Sequence, residues 1–276
     1  MATALGTQLG TNLGTALGLD ADAASELELI ETFLALNLFS WPIFANSDVV
    51  GAKISDVHDN VAAGVGAKAV DANHVFTQAN DALRPAATAV DAALNGVPAS
   101  QFSGSTWLAS SIAAVNWRFT HDGTGCLRLY VIVPDNVGAT SIIAGSDSGG
   151  TNGFNDMVFA TAQYRASVGN ASASIFDVRP GSLVNGVGAV PHVTYSETAS
   201  PNVSARVGDG TPVTANTTLS PILTDASSTV RLGTRADGAL PFVGRMSEAM
   251  FAKNPTPEMM TKIDRYMQLK YGFFLT

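Results

Sequence analysis

The sequence predicts a mainly β protein: one antiparallel sandwich with a helical arm before it and a single helix after it. Two observations carry this. From about residue 100, short β-rich runs alternate with Gly, Asn, Asp and Pro turns, the pattern of a sandwich built from many short strands. Residues 256–272 then carry the signals of one helix. Thr256 stands at the N-cap, Pro257 at the first helical position and Gly272 just past the end.

The arm comes first in the chain. Ala4-Leu5-Gly6-Thr7 begins a tetrapeptide repeat that places Leu5, Leu9, Leu13 and Leu17 on one drifting helical stripe. Its glycines would each cost a helix about 1 kcal/mol relative to alanine, so the segment orders against a partner or stays extended. Ser25 and Glu28 fit a capping box, and Leu27, Ile30, Phe33 or Leu34, and Leu38 recur at helical spacing until Pro42. Packing against the main domain would explain that face. An oligomer or docking seam is the favoured reading, because the repeat before it has no core of its own. Residues 1–45 are thus read as an anchoring arm, on Leu5, Leu9, Leu13, Leu17, Leu27, Ile30 and Leu34, and residues 46–276 as the β domain.

Strands are expected at 127–133, 141–144, 157–164, 192–196, 203–207, 229–233 and 242–251. In the last helix Met259, Ile263, Tyr266, Met267 and Tyr271 form an apolar face that should pack on the sandwich.

Composition excludes several classes. Charged residues make up 14% and hydrophobic residues 46% of the chain, which is not the profile of a disordered protein. The net charge of −8 argues against nucleic acid or an anionic membrane surface as partner. The most apolar run, residues 34–44, is too short to insert in a membrane. Cys126 is the only cysteine, and no Cys/His spacing resembles a zinc site. The charge is uneven: residues 1–60 hold eight carboxylates against Lys53 alone, a net −7, whereas residues from 228 onward hold seven basic groups against four acids. An acidic front of this kind expects a partner presenting Lys or Arg, with binding that weakens in salt.

Three blocks point to a family. The first runs Thr77-Gln78-Ala79-Asn80-Asp81-Ala82-Leu83-Arg84-Pro85, then Leu94-Asn95-Gly96-Val97-Pro98, then Phe102-Ser103-Gly104-Ser105-Thr106-Trp107-Leu108. The second is His121-Asp122-Gly123-Thr124-Gly125 leading into an apolar strand. The third is Leu232-Gly233-Thr234-Arg235 with Pro241-Phe242-Val243-Gly244-Arg245-Met246-Ser247-Glu248 and the terminal helix. Over residues 50–274 they resemble the concanavalin A-like (LamG-type) lectin/glucanase sandwich domain of the kind found in bacteriophage virion proteins. The resemblance implies a concanavalin-like antiparallel β-sandwich (jelly roll). It also implies a virion structural protein, whether capsid decoration, head fibre or tail-associated module, without enzymatic activity. Its partners would be other virion proteins and copies of itself in a homo-oligomer. A glycan-binding, lectin-like receptor-binding module of a fibre is the alternative, and a polysaccharide hydrolase a distant third. No cofactor is expected, and Ser103 and Ser247, standing where the family often has acids, disfavour a structural calcium.

For a glycan, the loops 147–156 and 202–216 offer Asn152, Phe154, Asn155 and Asp209 as contacts, against the reading of both as ordinary turns. Glu26-x-Glu28-x-x-Glu31 resembles a laminarinase-type acid signature but lies in a helical pattern ahead of the sandwich. Ser146-Asp147-Ser148-Gly149-Gly150 resembles a serine-protease nucleophile segment without a recognisable histidine base. Glu248 is expected to be a buried carboxylate, paired with Arg84 or Arg231, if the face carrying Met246 and Met250 points inward.

Overall fold

The computed structural model describes residues 21–60, 74–148, 152–169, 174–217, 219–226 and 228–275. The leucine repeat with Leu5, Leu9, Leu13 and Leu17 lies outside them. Helix α1 (Ala21–Asn37) opens the described chain and α2 (Pro257–Tyr271) closes it. Between them run β1 (Pro42–Val50), β2 (Lys53–Asp59), β3 (Val75–Thr77), β4 (Ala89–Val90), β5 (Pro98–Ser103) and β6 (Leu108–Ser110). The chain continues through β7 (Cys126–Pro134), β8 (Ser141–Gly145), β9 (Gly153–Phe159), β10 (Gln163–Gly169) and β11 (Ser174–Val178). It ends in β12 (Pro191–Tyr195), β13 (Val203–Val207), β14 (Val213–Ala215), β15 (Arg231–Leu232) and β16 (Val243–Lys253). Among the described residues no helix is long and apolar enough to cross a membrane.

The chain is mainly β with two helices, as expected, and every pairing between these strands is antiparallel. The jelly-roll sandwich is corrected. One continuous sheet runs β11-β10-β9-β8-β15-β6-β3-β2-β1-β16-β7-β12-β13-β14, with β5 flanking β16 and β4 flanking β5. Its two ends approach each other, β11 beside β14 and β10 beside β13, so the sheet is barrel-like and nearly closed. The join is β1. Ile43 pairs with Glu248 of β16, the register then breaks, and Ser47–Val50 pair with β2. A bulged strand can bend enough to serve both halves where two separate sheets would leave a gap.

Two apolar layers follow from this path. Phe44, Phe76, Phe102, Trp117, Tyr130, Tyr164 and Phe251 fill the inside of the curved sheet. Leu127, Leu129, Val131 and Met250 on its outside meet both helices. Strand β7 is buried on both faces, which is why it reads as an apolar run broken only by Arg128. The expected strand 157–164 is instead β9, a turn at 160–162 and β10, with Ala162 at φ +58°. Ala-Thr-Ala carries none of the usual turn residues, so nothing in the sequence marks that turn.

The arm's helix also differs from expectation. The described helix runs Ala21–Asn37, so Ser25 lies inside it rather than at its cap. Leu27, Ile30 and Leu34 are fully or almost fully buried against α2 and the outer sheet face, together with Ile263, Tyr266 and Met267. The docking face placed on these three residues is therefore occupied within the chain. Glu26 pairs with Arg265 of α2 at 2.8 Å, and Glu31 lies 3.8 Å from Lys270 Nζ. Two acids of the acidic front thus find their basic partners in the basic close. In α2 the expected caps are present: Thr256 accepts from Met259 N–H at 3.2 Å and Gly272 adopts φ +72°.

His192 on β12 is buried, with Arg206 and Asp264 as its charged neighbours. Burial, only partly opposed by its hydrogen bond to the Val190 carbonyl, pulls its pKa down from 6.5 to about 4. The unfolded chain therefore binds a proton that the folded chain refuses. The stability this group contributes is full above pH 6.5 and is lost as pH falls toward 4, by about 3 kcal/mol in all. Melting curves between pH 7.5 and 4.5 should show His192→Asn losing less of its Tm on acidification than the wild type. Parallel curves would show that His192 carries none of the acid sensitivity.

Candidate functional site

At one end of the sheet a cavity of about 490 Å3 opens between the end of α1, the 3-10 turn Ala114–Thr120 and the residues following β16. Helix α1 stops at Asn37, whose side-chain amide folds back on the last turn and donates to the Phe33 carbonyl at 2.8 Å. Phe39 then donates its backbone N–H to Phe251 of β16 at 2.8 Å. This places the half-buried Phe39 ring in the cavity wall, held edge-on by Trp117 at 5.2 Å and Phe119 at 4.6 Å. The ring is fixed in orientation before any ligand arrives.

Polar groups surround it. The 3-10 turn buries Trp117, Phe119 and Thr120 and leaves Asn116 and Arg118 facing the cavity. Arg118 holds Asp225 at 2.7 Å, and Asp122 accepts from the backbone and hydroxyl of Thr124. Asn254 sits at φ +50° and donates its backbone N–H to Gly125 at 3.0 Å. Among the described residues the side chains of Asn116, Lys253 and Asn254 have no hydrogen-bond or ion-pair partner. Lys253 and Arg118 against Asp122 leave the lining with one net positive charge, on a chain of net charge −8. A fixed ring beside unengaged amides and an ammonium can bind a ligand with an apolar face and many hydroxyls.

None of the glycan contacts expected from sequence lines this cavity. Phe154 is fully buried, with the Arg128 guanidinium 4.5 Å from its ring centre, so it offers no face for stacking. Asn155 is buried and donates to Asp147 at 3.1 Å. Asn152 donates to Thr224 Oγ1 at 2.5 Å, and Asp209 is exposed on the turn after β13. Phe39 carries no signal of its own in the sequence, where the helical spacing from Leu27 to Leu38 reads on toward Pro42, whereas the helix stops at Asn37.

Glu248 is buried as expected, but its partners differ. It accepts from Trp41 Nε1 at 3.0 Å, from Tyr266 OH at 2.7 Å, and from Lys270 Nζ and Tyr271 OH. Arg84 instead reaches Asp81 and the Gln78 carbonyl, and Arg231 lies over the Trp107 ring. A register shift in β16 between Met246 and Glu248 is the cause. It sends Met246 to the inner core and Glu248 and Met250 toward the helices.

A Ser-His-Asp relay is present that the sequence did not reveal. Ser110 Oγ lies 2.8 Å from His74 Nε2, and His74 Nδ1 lies 2.7 Å from Asp59. Asp59 also accepts from Ser40 and from the Trp41 backbone, so it orients the histidine as a catalytic acid would. Ser110 Oγ, however, already accepts from Trp117 Nε1 at 3.1 Å and from Ile112 N–H at 3.3 Å. With its proton on His74, the hydroxyl has no lone pair left to attack a carbonyl, and the residue is 5% exposed. The relay ties the end of β2, the residue leading into β3 and the end of β6 together. Cys126 is equally unsuited to nucleophilic work, since burial pushes its thiol up to about 11.

No protein-family model and no curated protein matches the chain. Solved structures do. A Trypanosoma rangeli sialidase in complex with 2,3-difluorosialic acid matches with a TM-score of 0.55 at 11% identity, over 91% of this chain and 38% of that one. The sialidase from the same organism in complex with sialic acid matches with a TM-score of 0.53 at 11% identity, over 90% and 38%. The chain thus spans about 38% of the length of these neighbours, and at such identity the likeness is one of fold.

These neighbours correct the family expectation. The fold is shared with sialidases, not with a concanavalin-like sandwich of phage virion proteins, and the readings as capsid decoration, head fibre or tail module fall with that resemblance. The expectation that the chain is no enzyme falls too, since this fold occurs within the chains of sialidases, which are enzymes.

Proposed function

We propose that the chain binds carbohydrate in the cavity beside Phe39, with a preference for an acidic sugar. The observation that carries this is the fixed Phe39 ring flanked by unengaged Asn116, Lys253 and Asn254 side chains. The ring covers the apolar face of a pyranose while the amides bond its hydroxyls. Lys253, with no carboxylate within 4 Å among the described residues, is free to meet a sugar carboxylate. The fold shared with a sialidase in complex with sialic acid supports the same ligand class. Among the described residues Asp122 is the one carboxylate that lines the cavity, opposite Lys253 and Arg118.

Titration calorimetry with sialic acid at low salt tests this. Phe39→Ala should weaken binding on the order of tenfold or more, the scale of a lost stacking contact. Lys253→Gln should weaken it several-fold, and 0.5 M salt should mimic that loss in the wild type, as expected for a solvent-exposed charge contact. Absence of binding to both sialic acid and neutral hexoses would overturn the reading.

A further inference from the structure

A second cavity of about 440 Å3 adjoins the first, and Asn254 lines both. The two differ in chemistry. All the charged side chains, Arg118, Asp122 and Lys253, belong to the first cavity, and none lines the second. The second is walled by Thr124, Thr194, Ser196 and Thr198 over an apolar floor that includes Pro255 and Met260. The hydroxyls of Thr124 and Thr194 donate to Asp122 and the Ser204 carbonyl, and those of Ser196 and Thr198 bond each other, which leaves them acceptor capacity for a ligand hydroxyl.

Its walls are preformed. The loop between β12 and β13 is gathered by Asn202, whose side-chain amide donates to the carbonyls of Ser196, Glu197 and Ala199 at 3.3, 3.1 and 2.9 Å. The turn between the cavities is equally constrained. Gly125 has φ +119°, and a Cβ there would meet Asn254 Oδ1 at 2.5 Å. Only glycine lets the Asn254 side chain lie across the boundary, where one amide can serve ligands on both sides.

We infer that the second cavity is a subsite for a neutral sugar joined to the acidic sugar of the first, so that the ligand is an extended acidic oligosaccharide rather than a single residue. This rests on the carbohydrate reading above. A hydroxyl-lined, uncharged recess suits a neutral pyranose and gives a second carboxylate no counter-charge. The shared Asn254 fixes the register of the two residues.

The experiment compares two probes on the full chain, sialic acid and sialyllactose, in which a neutral disaccharide follows the acid. The wild type should bind sialyllactose on the order of tenfold more tightly. Thr198 is exposed at the cavity rim, so Thr198→Trp fills the recess without disturbing the core. That variant should erase the difference and leave sialic acid affinity within about twofold, whereas Thr198→Ala should retain it. Equal wild-type affinities, or an undiminished advantage in Thr198→Trp, would overturn the subsite while leaving the first cavity's role intact. Failure of both probes to bind the wild type would overturn both.

Discussion

Asp156→Ala will destabilise the protein by about 3–5 kcal/mol, the range seen when one partner of a buried ion pair is removed. Asp156 on β9 and Arg128 on β7 face each other inside the curved sheet, both with fully buried side chains. The pair is bidentate, with guanidinium nitrogens 2.7 and 3.0 Å from the two carboxylate oxygens. Arg128 also donates to the Thr120 carbonyl at 2.7 Å, and Tyr130 donates to Asp156 at 2.7 Å. Burial, reinforced by this carboxylate, pushes the hydroxyls of Tyr130 and Tyr164 well above the usual tyrosine range, so both stay protonated. Removing the carboxylate strands a fully buried guanidinium with no counter-ion among the described residues. Asp156→Asn should cost less, because the amide oxygen still accepts one hydrogen bond. The double variant Arg128→Met with Asp156→Leu should lie much closer to the wild type, since neither charge then needs a partner. Urea unfolding of the four proteins checks this. A single Asp156→Ala loss under about 1 kcal/mol would mean that water enters the sheet and solvates Arg128.

What sequence shows of this molecule follows from how local each cause is. Helix α2 was legible because its signals lie within one turn of each end: the Thr256 cap, Pro257 and Gly272. Strands β7, β12 and β13 were legible because burial on one or both faces writes an apolar pattern along the strand itself. Strands β3 and β4, of three and two residues, are too short to show any period and exist only through partners found elsewhere in the chain. The double duty of β1 and the bulge in β16 are likewise properties of pairing, and they turned a jelly-roll expectation into one nearly closed sheet. The site shows the same division. Loops rich in Asn and Gly look like sugar loops, yet Phe154 and Asn155 fall on β9 and face inward. The cavity instead gathers Phe39, Asn116 and Lys253 from three distant segments, and no spacing in the sequence can announce that. The Ser110–His74–Asp59 relay shows the converse hazard, a catalytic-looking set whose nucleophile is already fully engaged.

Glu248→Ala is expected to cost about as much as Asp156→Ala, roughly 3–5 kcal/mol, but to act on the other side of the sheet. The carboxylate is buried beneath both helices, where four donors converge on it: Trp41 at the entry to β1, and Tyr266, Lys270 and Tyr271 on α2. Burial and the neighbouring carboxylate hold both tyrosines well above their ordinary range, so they too act as donors and not as phenolates. Truncating Glu248 leaves Lys270 buried, with only Glu31 at 3.8 Å as a counter-charge. Burial holds the Glu31 carboxyl above its usual pKa, so it is a poor substitute. Lys270→Met tests the opposite vacancy. Glu248 then keeps the indole and two phenol donors, and three hydrogen bonds to a carboxylate offset part of its desolvation. Lys270→Met should therefore be the milder change, by about 1–2 kcal/mol. If the two variants unfold at the same urea concentration, the pair stabilises only as a pair and the tyrosine and tryptophan donors contribute nothing of their own. The helices report on the same question: hydrogen exchange along α1 should accelerate in Glu248→Ala more than in Lys270→Met, because α1 packs on the α2 face that an uncompensated Lys270 would push outward.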